Sequence, residues 1–283
     1  MIIDRKTYIE KLQRSKGNGL IKIITGLRRS GKSFLLKKLF RQHLLDDGVK
    51  EDHILIIDME SRKNKAFKDP DYLLDWVESK MLDDSTYYII IDEVQEVKNF
   101  VEVLSTLSVT EGTDVYVTGS NSRFLSSDVV TEFRGRGDEI HVWPLSFKEF
   151  MSVYESSKED GWAEYLMYGG LPQLLTQDGD EKKTDFLRHL YRTVYLRDIY
   201  ERNSIELKPE FEELSKTLAS SIGAPVNASN IANTFKSVSK VQDISDKTVS
   251  AYMGYMQDAF LIEKSERYDI KGRKYIGLSL IHI

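Results

Sequence analysis

The 283 residues suffice for more than one domain, and a content of 41% hydrophobic and 30% charged residues is typical of a globular protein. The lack of cysteine excludes disulfides and thiolate metal sites, which fits a cytoplasmic location. No apolar run approaches the roughly 20 residues of a membrane-spanning helix, so we expect no membrane partner. The net charge of −5 gives no argument for nucleic acid, although residues 1–50 contain 13 Lys and Arg against 4 Asp and Glu.

The first predicted elements are a strand at Leu20–Thr25 and a helix at Lys32–Leu45. Between them lies GLRRSGKS, Gly26–Ser33, which matches the P-loop pattern in its required context of strand before and helix after. Glycines let consecutive backbone N–H groups turn toward phosphate oxygens, and the helix start adds the positive end of its dipole. The alternative is a glycine turn that matches by chance. We expect these residues to contact nucleotide: Gly26, Leu27, Arg28, Arg29, Ser30, Gly31, Lys32, Ser33 and Phe34.

Two continuous apolar runs follow, Ile54–Met59 and Tyr87–Asp92, and both predict strands buried on two faces. The second run continues into Glu93. A carboxylate at the end of a buried strand needs a cation or firm donors, so we predict that Asp92 and the Ser33 hydroxyl bind Mg²⁺, while Lys32 reaches the β- and γ-phosphates. Glu93 is then placed to polarise an attacking water. In the alternative, Asp92 ends a strand and Glu93 is solvated.

Further strands are predicted at Val115–Thr118 and Glu139–Val142, and helices at Tyr72–Met81 and Phe100–Leu107. Such alternation indicates an α/β domain with a mainly parallel sheet, which we place at residues 1–150. No Asn-Lys-x-Asp segment is present to recognise guanine, so ATP is favoured over GTP.

Two further segments offer catalytic side chains. In VYVTGSN, Ser120 and Asn121 follow a strand and could sense the γ-phosphate or orient the water, although polar residues end most strands. In FRGRGDE, Arg134 and Arg136 could stabilise transition-state charge, in their own subunit or in a neighbour's site. The alternative there is an ordinary surface loop.

The second half of the chain reads as helical. Residues 151–207 form a predicted helical lid or linker, with breaks at Gly169–Pro172 and Asp178–Asp180. Residues 208–277 contain three predicted helices, at about 208–222, 228–237 and 246–259, and a hairpin around Lys271 and Gly272. This order predicts a winged-helix-like domain, with Asn227 and Ser245 as helix N-caps.

Several longer segments together resemble bacterial and archaeal AAA+-type ATPases with an uncharacterised C-terminal region. They are ITGLRRSGKS, YIIIDEVQ, VTGSNSRFL, GRGDEIHVWPLSFKEF, YGGLPQLL, VYLRDIYERNSI and TVSAYMGYMQDAFLIEKSERYD. The resemblance covers about residues 18–276 and implies ATP and Mg²⁺ as cofactors. It also implies nucleotide-site roles for the P-loop, Asp92, Glu93, the TGS(N) segment and Arg136.

In that family a domain similar to PD-(D/E)xK nucleases usually follows. The chain ends instead in LSLIHI, Leu278–Ile283, a peptide that a sequencing-library adapter would encode in one reading frame. We therefore expect residues 278–283 to be an adapter-derived tail and the protein to be truncated after Gly277. The alternative is a natural apolar strand at the tail.

The sequence thus predicts an AAA+-like ATPase that hydrolyses ATP with Mg²⁺ to drive or gate its C-terminal region, and that could form a homo-oligomer. The alternative is a DNA-binding regulator that uses ATP as a switch, and in either case the winged helix could bind DNA or a protein. The predicted recognition helix has few cations, which weakens the DNA interpretation. A small-molecule kinase would share the P-loop, but no acceptor site is identifiable.

Overall fold

A computed structural model describes residues 2–119, 137–206, 208–238, 244–266 and 279–282. The chain divides into two compact units, Met1–Thr184 and Asp185–Ile283. No helix in the described part of the chain is long and apolar enough to cross a membrane.

The first unit is built on a five-stranded sheet. Its strands are β1 (Ile21–Thr25), β2 (Ile54–Asp58), β3 (Tyr87–Asp92), β4 (Thr113–Thr118) and β5 (Gly137–His141). They lie in the order β2-β3-β4-β1-β5, and every neighbouring pair is parallel. The prediction of an α/β domain with a mainly parallel sheet is therefore confirmed.

Helices and short helical turns connect these strands. The α-helices of the first unit are α1 (Lys6–Ser15), α2 (Lys32–Phe34), α3 (Arg41–Asp46), α4 (Pro70–Lys80), α5 (Phe100–Val109), α6 (Phe147–Met151) and α7 (Lys158–Tyr168). A π-helical stretch, Leu35–Phe40, joins α2 to α3, and 3-10 turns lie at Glu51–His53, Arg62–Lys68, Val94–Glu96 and Pro172–Thr176. The helix α8 (Asp180–Leu190) extends past the end of this unit.

Alternate residues of the central strands pack on opposite faces of the sheet. Ile24 and Ile90 join Leu12, Leu36 and Phe40 in a cluster with α1 and the helical segment after the loop. The opposite face packs against α4 and α5 through a cluster that includes Ile23, Ile57, Ile89, Leu73 and Leu104. Burial on both faces explains why these strands are continuous apolar runs.

In its described residues the second unit contains, after the end of α8, the π-helical stretch Tyr191–Leu196 and these α-helices: α9 (Arg197–Asn203), α10 (Lys208–Ser220), α11 (Ala228–Val238) and α12 (Asp246–Asp258). Its core includes Phe211, Leu214, Phe235, Val249 and Met256, one or more from each of the last three helices. The predicted N-caps are confirmed. The Asn227 side chain accepts a hydrogen bond from the backbone N–H of Ser229 at 2.8 Å, and the Ser245 side chain accepts one from the backbone N–H of Thr248 at 3.0 Å.

The described residues of this unit also form three short strands: β6 (Pro225–Val226), β7 (Glu263–Glu266) and β8 (Ser279–His282). They form an antiparallel sheet in the order β6-β8-β7. The predicted turn at Lys271 and Gly272 lies outside the described residues, and the strand that pairs with β7 belongs to the tail. Since strand pairing uses backbone groups alone, it does not identify the origin of the tail, which stays a prediction.

Candidate functional site

The loop predicted from the sequence lies at the carboxyl end of β1, a central strand of the sheet. Gly26 has φ +132, Arg29 +69 and Gly31 +100, so the chain turns sharply three times before the helix begins at Lys32. A Cβ on Gly26 would lie 2.3 Å from the carbonyl oxygen of Val142. Only glycine fits there, because the backbone after β5 packs directly against the loop.

Lys32 is folded inward over this loop. Its Nζ donates to the carbonyl oxygens of Gly26 at 2.9 Å and Leu27 at 3.1 Å, and the residue is 4% exposed. Burial lowers the pKa of Lys32 to about 8, although the nearby charges of Glu93 and Asp92 act in the opposite direction. A buried ammonium that donates to neutral carbonyl oxygens is well prepared to exchange them for an anion.

Asp92 ends β3 and is 1% exposed. Its Oδ1 accepts hydrogen bonds from Ser33 Oγ at 2.8 Å and from Thr118 Oγ1 at 2.6 Å. The Thr118 hydroxyl also accepts from the backbone N–H of Glu93 at 2.9 Å. The predicted pair of Ser33 and Asp92 is therefore brought together, with Thr118, at the end of β4, as an additional link.

Glu93 lies directly after β3 in the left-handed region, with φ +57, and is 8% exposed. Gln95 donates from Nε2 to its carboxylate oxygen Oε2. Glu93 is therefore buried, and its negative charge is the largest of the charges that act on the pKa of Lys32.

Lys37 and Asp58 are site residues that the sequence analysis missed. Lys37 Nζ lies 2.7 Å from Asp92 Oδ2 and 2.8 Å from Asp58 Oδ2. Burial acts to lower the pKa of Lys37, but its hydrogen bonds to Asp58 and Asp92 outweigh burial and raise the pKa above the ordinary value. The sequence did contain a signal for Asp58. The apolar runs ILIID and YIIID both end in aspartate, so Asp58 occupies the same position in its strand as Asp92.

Arg5 fixes the loop from outside. Its guanidinium donates to the carbonyl oxygens of Ser30 at 3.2 Å and Trp143 at 2.7 Å, and its Nε lies 2.9 Å from Glu149 Oε1. Arg5 is itself buried. The loop is thus supported by a segment that precedes β1, which no feature of the P-loop pattern would indicate.

The remaining loop residues have different surroundings. Arg28 lies 3.8 Å from Glu60 Oε1, and Arg29 donates to Gln173 Oε1 at 2.7 Å. Phe34 is exposed. Burial, followed by the charge of Glu93, raises the pKa of Glu60. Ser33 therefore contacts the carboxylate of Asp92, whereas Lys32 lies on the loop carbonyls. Arg29 turns toward the 3-10 turn that contains Gln173.

Four predicted residues, Ser120, Asn121, Arg134 and Arg136, lie outside the described residues. Asp92 and Ser33 offer one carboxylate and one hydroxyl to a cation, a donor set of the hard oxygen kind that Mg²⁺ prefers. In the described ranges no group of three or more His, Asp or Glu is placed to hold a metal ion by itself. Mg²⁺ commonly binds through one or two carboxylates together with water and phosphate oxygens, and the pair of Asp92 and Ser33 fits that arrangement.

Comparison with known proteins agrees with this geometry. Residues 18–151 match a family model described as an AAA domain, and residues 159–277 match a domain of unknown function (DUF8612). An uncharacterized protein of Haemophilus influenzae is 33% identical over 281 residues, which are 97% of this chain and 69% of that protein.

The chain belongs to the same family as the Haemophilus influenzae protein. Its first unit contains an AAA-type P-loop ATPase domain. The uncharacterized protein MJ1544 of Methanocaldococcus jannaschii is 27% identical over 278 residues, 93% of this chain and 60% of that protein. The chain thus spans less than two thirds of the archaeal relative.

Two solved structures are similar to this chain at 11% sequence identity. The first is the Aeropyrum pernix ORC2 protein in ADPNP–ADP complexes, with a TM-score of 0.48 over 100% of this chain and 91% of that one. The second is the ORC1 protein of the same organism in complex with DNA, with a TM-score of 0.42 over 100% of this chain and 90% of that one.

Proposed function

We propose that the AAA domain binds ATP with Mg²⁺ at Gly26–Ser33 and hydrolyses it. The observation that carries this proposal is the 2.8 Å hydrogen bond from Ser33 to Asp92, beside the buried ammonium of Lys32 and the carboxylate of Glu93. Nucleotide hydrolysis at a P-loop requires these groups: a hydroxyl and a carboxylate for the metal, a cation for the phosphates and a base for the attacking water.

The loop backbone and Lys32 would bind the phosphates. Because Lys32 already lies in the loop on the carbonyls of Gly26 and Leu27, phosphate binding exchanges these two weak partners for charged oxygens. A phosphate oxygen carries negative charge that a carbonyl oxygen lacks, so its attraction to the ammonium is stronger, which favours the exchange. The helix begins at Lys32, directly after Gly31, and the backbone N–H groups at such a helix start would bind phosphate oxygens.

Ser33 and Asp92 would hold Mg²⁺, which supplies positive charge against the phosphate oxygens when bound. Glu93 would accept the proton of the attacking water. The Thr118 hydroxyl, which accepts from the Glu93 N–H, would hold the backbone of this residue in position. Roles for Ser120, Asn121 and Arg136 in orienting the water or stabilising charge stay predictions.

Phosphate release by the purified protein tests this function. Lys32→Ala should lose nucleotide binding, whereas Glu93→Gln should retain binding and slow turnover by at least about 100-fold, as expected for a lost general base. Lys38→Ala, at an exposed lysine of the same helical segment, is the matched control and should resemble the wild type. Equal turnover in all four proteins would disprove the proposal.

For the second unit we propose a winged-helix-like domain that ATP hydrolysis drives or gates. Three helices, α10 to α12, together with a three-stranded antiparallel sheet in the order β6-β8-β7, support it. The helix α12 contains a single basic residue, Lys247, which favours a protein contact over DNA as its role.

The alternative, a DNA-binding regulator switched by ATP, makes a different prediction in a binding assay. Duplex DNA at about 50 mM salt should then shift with the protein when ATP is added, and the shift should weaken steeply with salt. Mass measurement with and without ATP tests the proposed homo-oligomer, in which Arg136 would act on a neighbouring site.

A further inference from the structure

Asp58 and Asp92 are neighbours at the same end of the sheet. They are directly opposite in the parallel register of β2 and β3, and each points one carboxylate oxygen, Oδ2, at the same ammonium. Like charges directly opposite on neighbouring strands repel. A cation between the two carboxylates therefore stabilises the pair. Lys37 Nζ occupies this position, 2.8 Å from Asp58 Oδ2 and 2.7 Å from Asp92 Oδ2.

The two oxygens of Asp92 have different partners. Oδ1 accepts from the hydroxyls of Ser33 and Thr118, while Oδ2 faces Lys37. Ser33 and Lys37 are four residues apart on one helical segment, so a single rigid element presents a hydroxyl to one oxygen and an ammonium to the other. Asp92 cannot turn toward a metal at Oδ2 without leaving Lys37.

The three side chains of this ion-pair network differ in their exposure to solvent. The side chain of Asp92 is 2% exposed, but those of Lys37 and Asp58 are 25% and 36% exposed. A hydrated cation from solvent could therefore reach Asp58 first, and the gap between the two carboxylates next. Divalent cations favour such paired carboxylate oxygens, so the ammonium competes with them for the same place.

We infer that Lys37 is a built-in counter-cation that prevents a divalent metal from binding to Asp58 and Asp92 before nucleotide is present. The inference rests on the proposed function for its purpose, because the triphosphate then supplies the oxygens that make metal binding favourable. Lys37 acts through Asp92 and is a positioning residue. It makes metal binding at the AAA domain conditional on nucleotide.

The test measures Mn²⁺ binding to the nucleotide-free protein by electron paramagnetic resonance. Lys37→Met keeps the apolar stem and removes the charge, and it should bind Mn²⁺ at least about tenfold more tightly than wild type, since a cation a few ångströms away is lost. Lys37→Arg should resemble wild type. Lys38→Met removes an exposed charge from the same segment and should also resemble wild type, which separates local placement from net charge.

Adding Asp58→Asn to Lys37→Met should reverse the gain, because the metal then loses one of its two carboxylates. A merely structural lysine would change stability without creating Mn²⁺ affinity. Equal Mn²⁺ binding by folded Lys37→Met and Lys38→Met would overturn the inference. Lys37→Gln offers a second neutral variant for the same comparison if the methionine variant does not fold.

The wild type provides an independent measurement. It should bind Mn²⁺ at least about tenfold more tightly with ADP than without, as phosphate oxygens join the site. Tight Mn²⁺ binding by the nucleotide-free wild type would overturn the inference. Failure of the wild type to bind ADP at all would instead contradict the proposed function, and the nucleotide-free comparison of wild type with Lys37→Met would still decide the role of Lys37.

Discussion

Ser33 Oγ donates a hydrogen bond of 2.8 Å to Asp92 Oδ1 across 59 residues of sequence. The contact joins the first turn of the helix after the P-loop to the end of β3, although β4 lies between β1 and β3 in the sheet. Thr118, the last residue of β4, bridges this gap because its hydroxyl binds the same oxygen. The ends of two strands and the start of one helix are thus connected through one carboxylate.

Thr118→Val should therefore damage the site without removing a predicted catalytic group. The substitution keeps the shape but removes the donor to Asp92 and the acceptor for the Glu93 N–H. Because both lost partners are buried, we expect the free energy of unfolding to fall by about 1–3 kcal/mol. Hydrolysis should slow more than nucleotide affinity weakens, as measured by phosphate release and a fluorescent nucleotide.

Thr118→Ser is the control for that change, since it retains the hydroxyl and loses only a methyl group. It should keep most of the hydrolysis rate. If the serine and valine variants lose hydrolysis equally, the bridge to Asp92 and Glu93 is not what Thr118 contributes.

Gly26→Ala should disrupt the loop more than a comparable substitution elsewhere. Its Cβ would lie 2.3 Å from the Val142 carbonyl oxygen, and its φ of +132 is unfavourable for alanine. Gly48 also has a positive φ, +86, but a Cβ there meets nothing within 4 Å. Gly48→Ala should cost about 1–2 kcal/mol for the backbone conformation alone, and Gly26→Ala should cost more. Urea denaturation of the two variants makes the comparison, and equal losses would show that the loop can move away from Val142.

The predictions that the structure bears out depend on local pattern. A buried strand, a glycine loop and a helix follow one another within 27 residues, from Leu20 to Asp46, so their order and spacing locate the loop without knowledge of the rest of the fold. The strand at Tyr87–Asp92 was likewise evident because both of its faces are apolar. Such elements are specified by neighbours in sequence.

The resemblance already pointed to the TGS(N) segment, which begins at Thr118. The contact of Thr118 with Asp92 and the site residues Asp58 and Arg5 were missed, because they depend on strand order instead. Thr118 and Asp58 reach Asp92 because β4 and β2 are the two neighbours of β3, and apolar runs do not reveal which strands are adjacent. Arg5 near the start of the chain contacts both Ser30 and the distant Glu149. Long-range pairings of this kind become visible only when the sheet is assembled.

A buried ion pair far from the loop gives a stability prediction. Lys22 on β1 pairs with Asp114 on β4, and their side chains are 0% and 3% exposed. Tyr116 Oη and the Gly17 N–H also donate to Asp114, at 2.9 and 3.0 Å. Asp114→Asn leaves the Lys22 ammonium without its counter-charge, so we expect a loss of about 3–5 kcal/mol.

The exposed pair of Arg41 and Glu51 is the control for this buried pair. Glu51→Gln should change the free energy of unfolding by less than about 1 kcal/mol, because solvent screens the pair. Similar losses for Asp114→Asn and Glu51→Gln in urea denaturation would show that Lys22 relaxes toward water when its partner is neutralised.

His141 should make the stability of the first unit depend on pH. It ends β5, and its Nδ1 lies 3.1 Å from the Thr25 hydroxyl, which also donates to Glu139 at 2.7 Å. Burial is the largest effect and lowers the pKa of His141 below its ordinary value of 6.5, although Glu139 acts in the opposite direction. The folded state therefore resists a proton that the unfolded chain accepts.

The sign follows from this difference. Above the unfolded pKa of 6.5, His141 is neutral in both the folded and the unfolded protein, and its contribution to stability is complete. As the pH falls toward the lower folded pKa, the unfolded chain takes up a proton first and that contribution is lost. Urea denaturation at about pH 7.5 and 5.5 should show the wild type losing stability on acidification, and His141→Gln should lose less because glutamine does not titrate. An identical loss in both proteins would assign the acid sensitivity to other groups and leave His141 without a part in it.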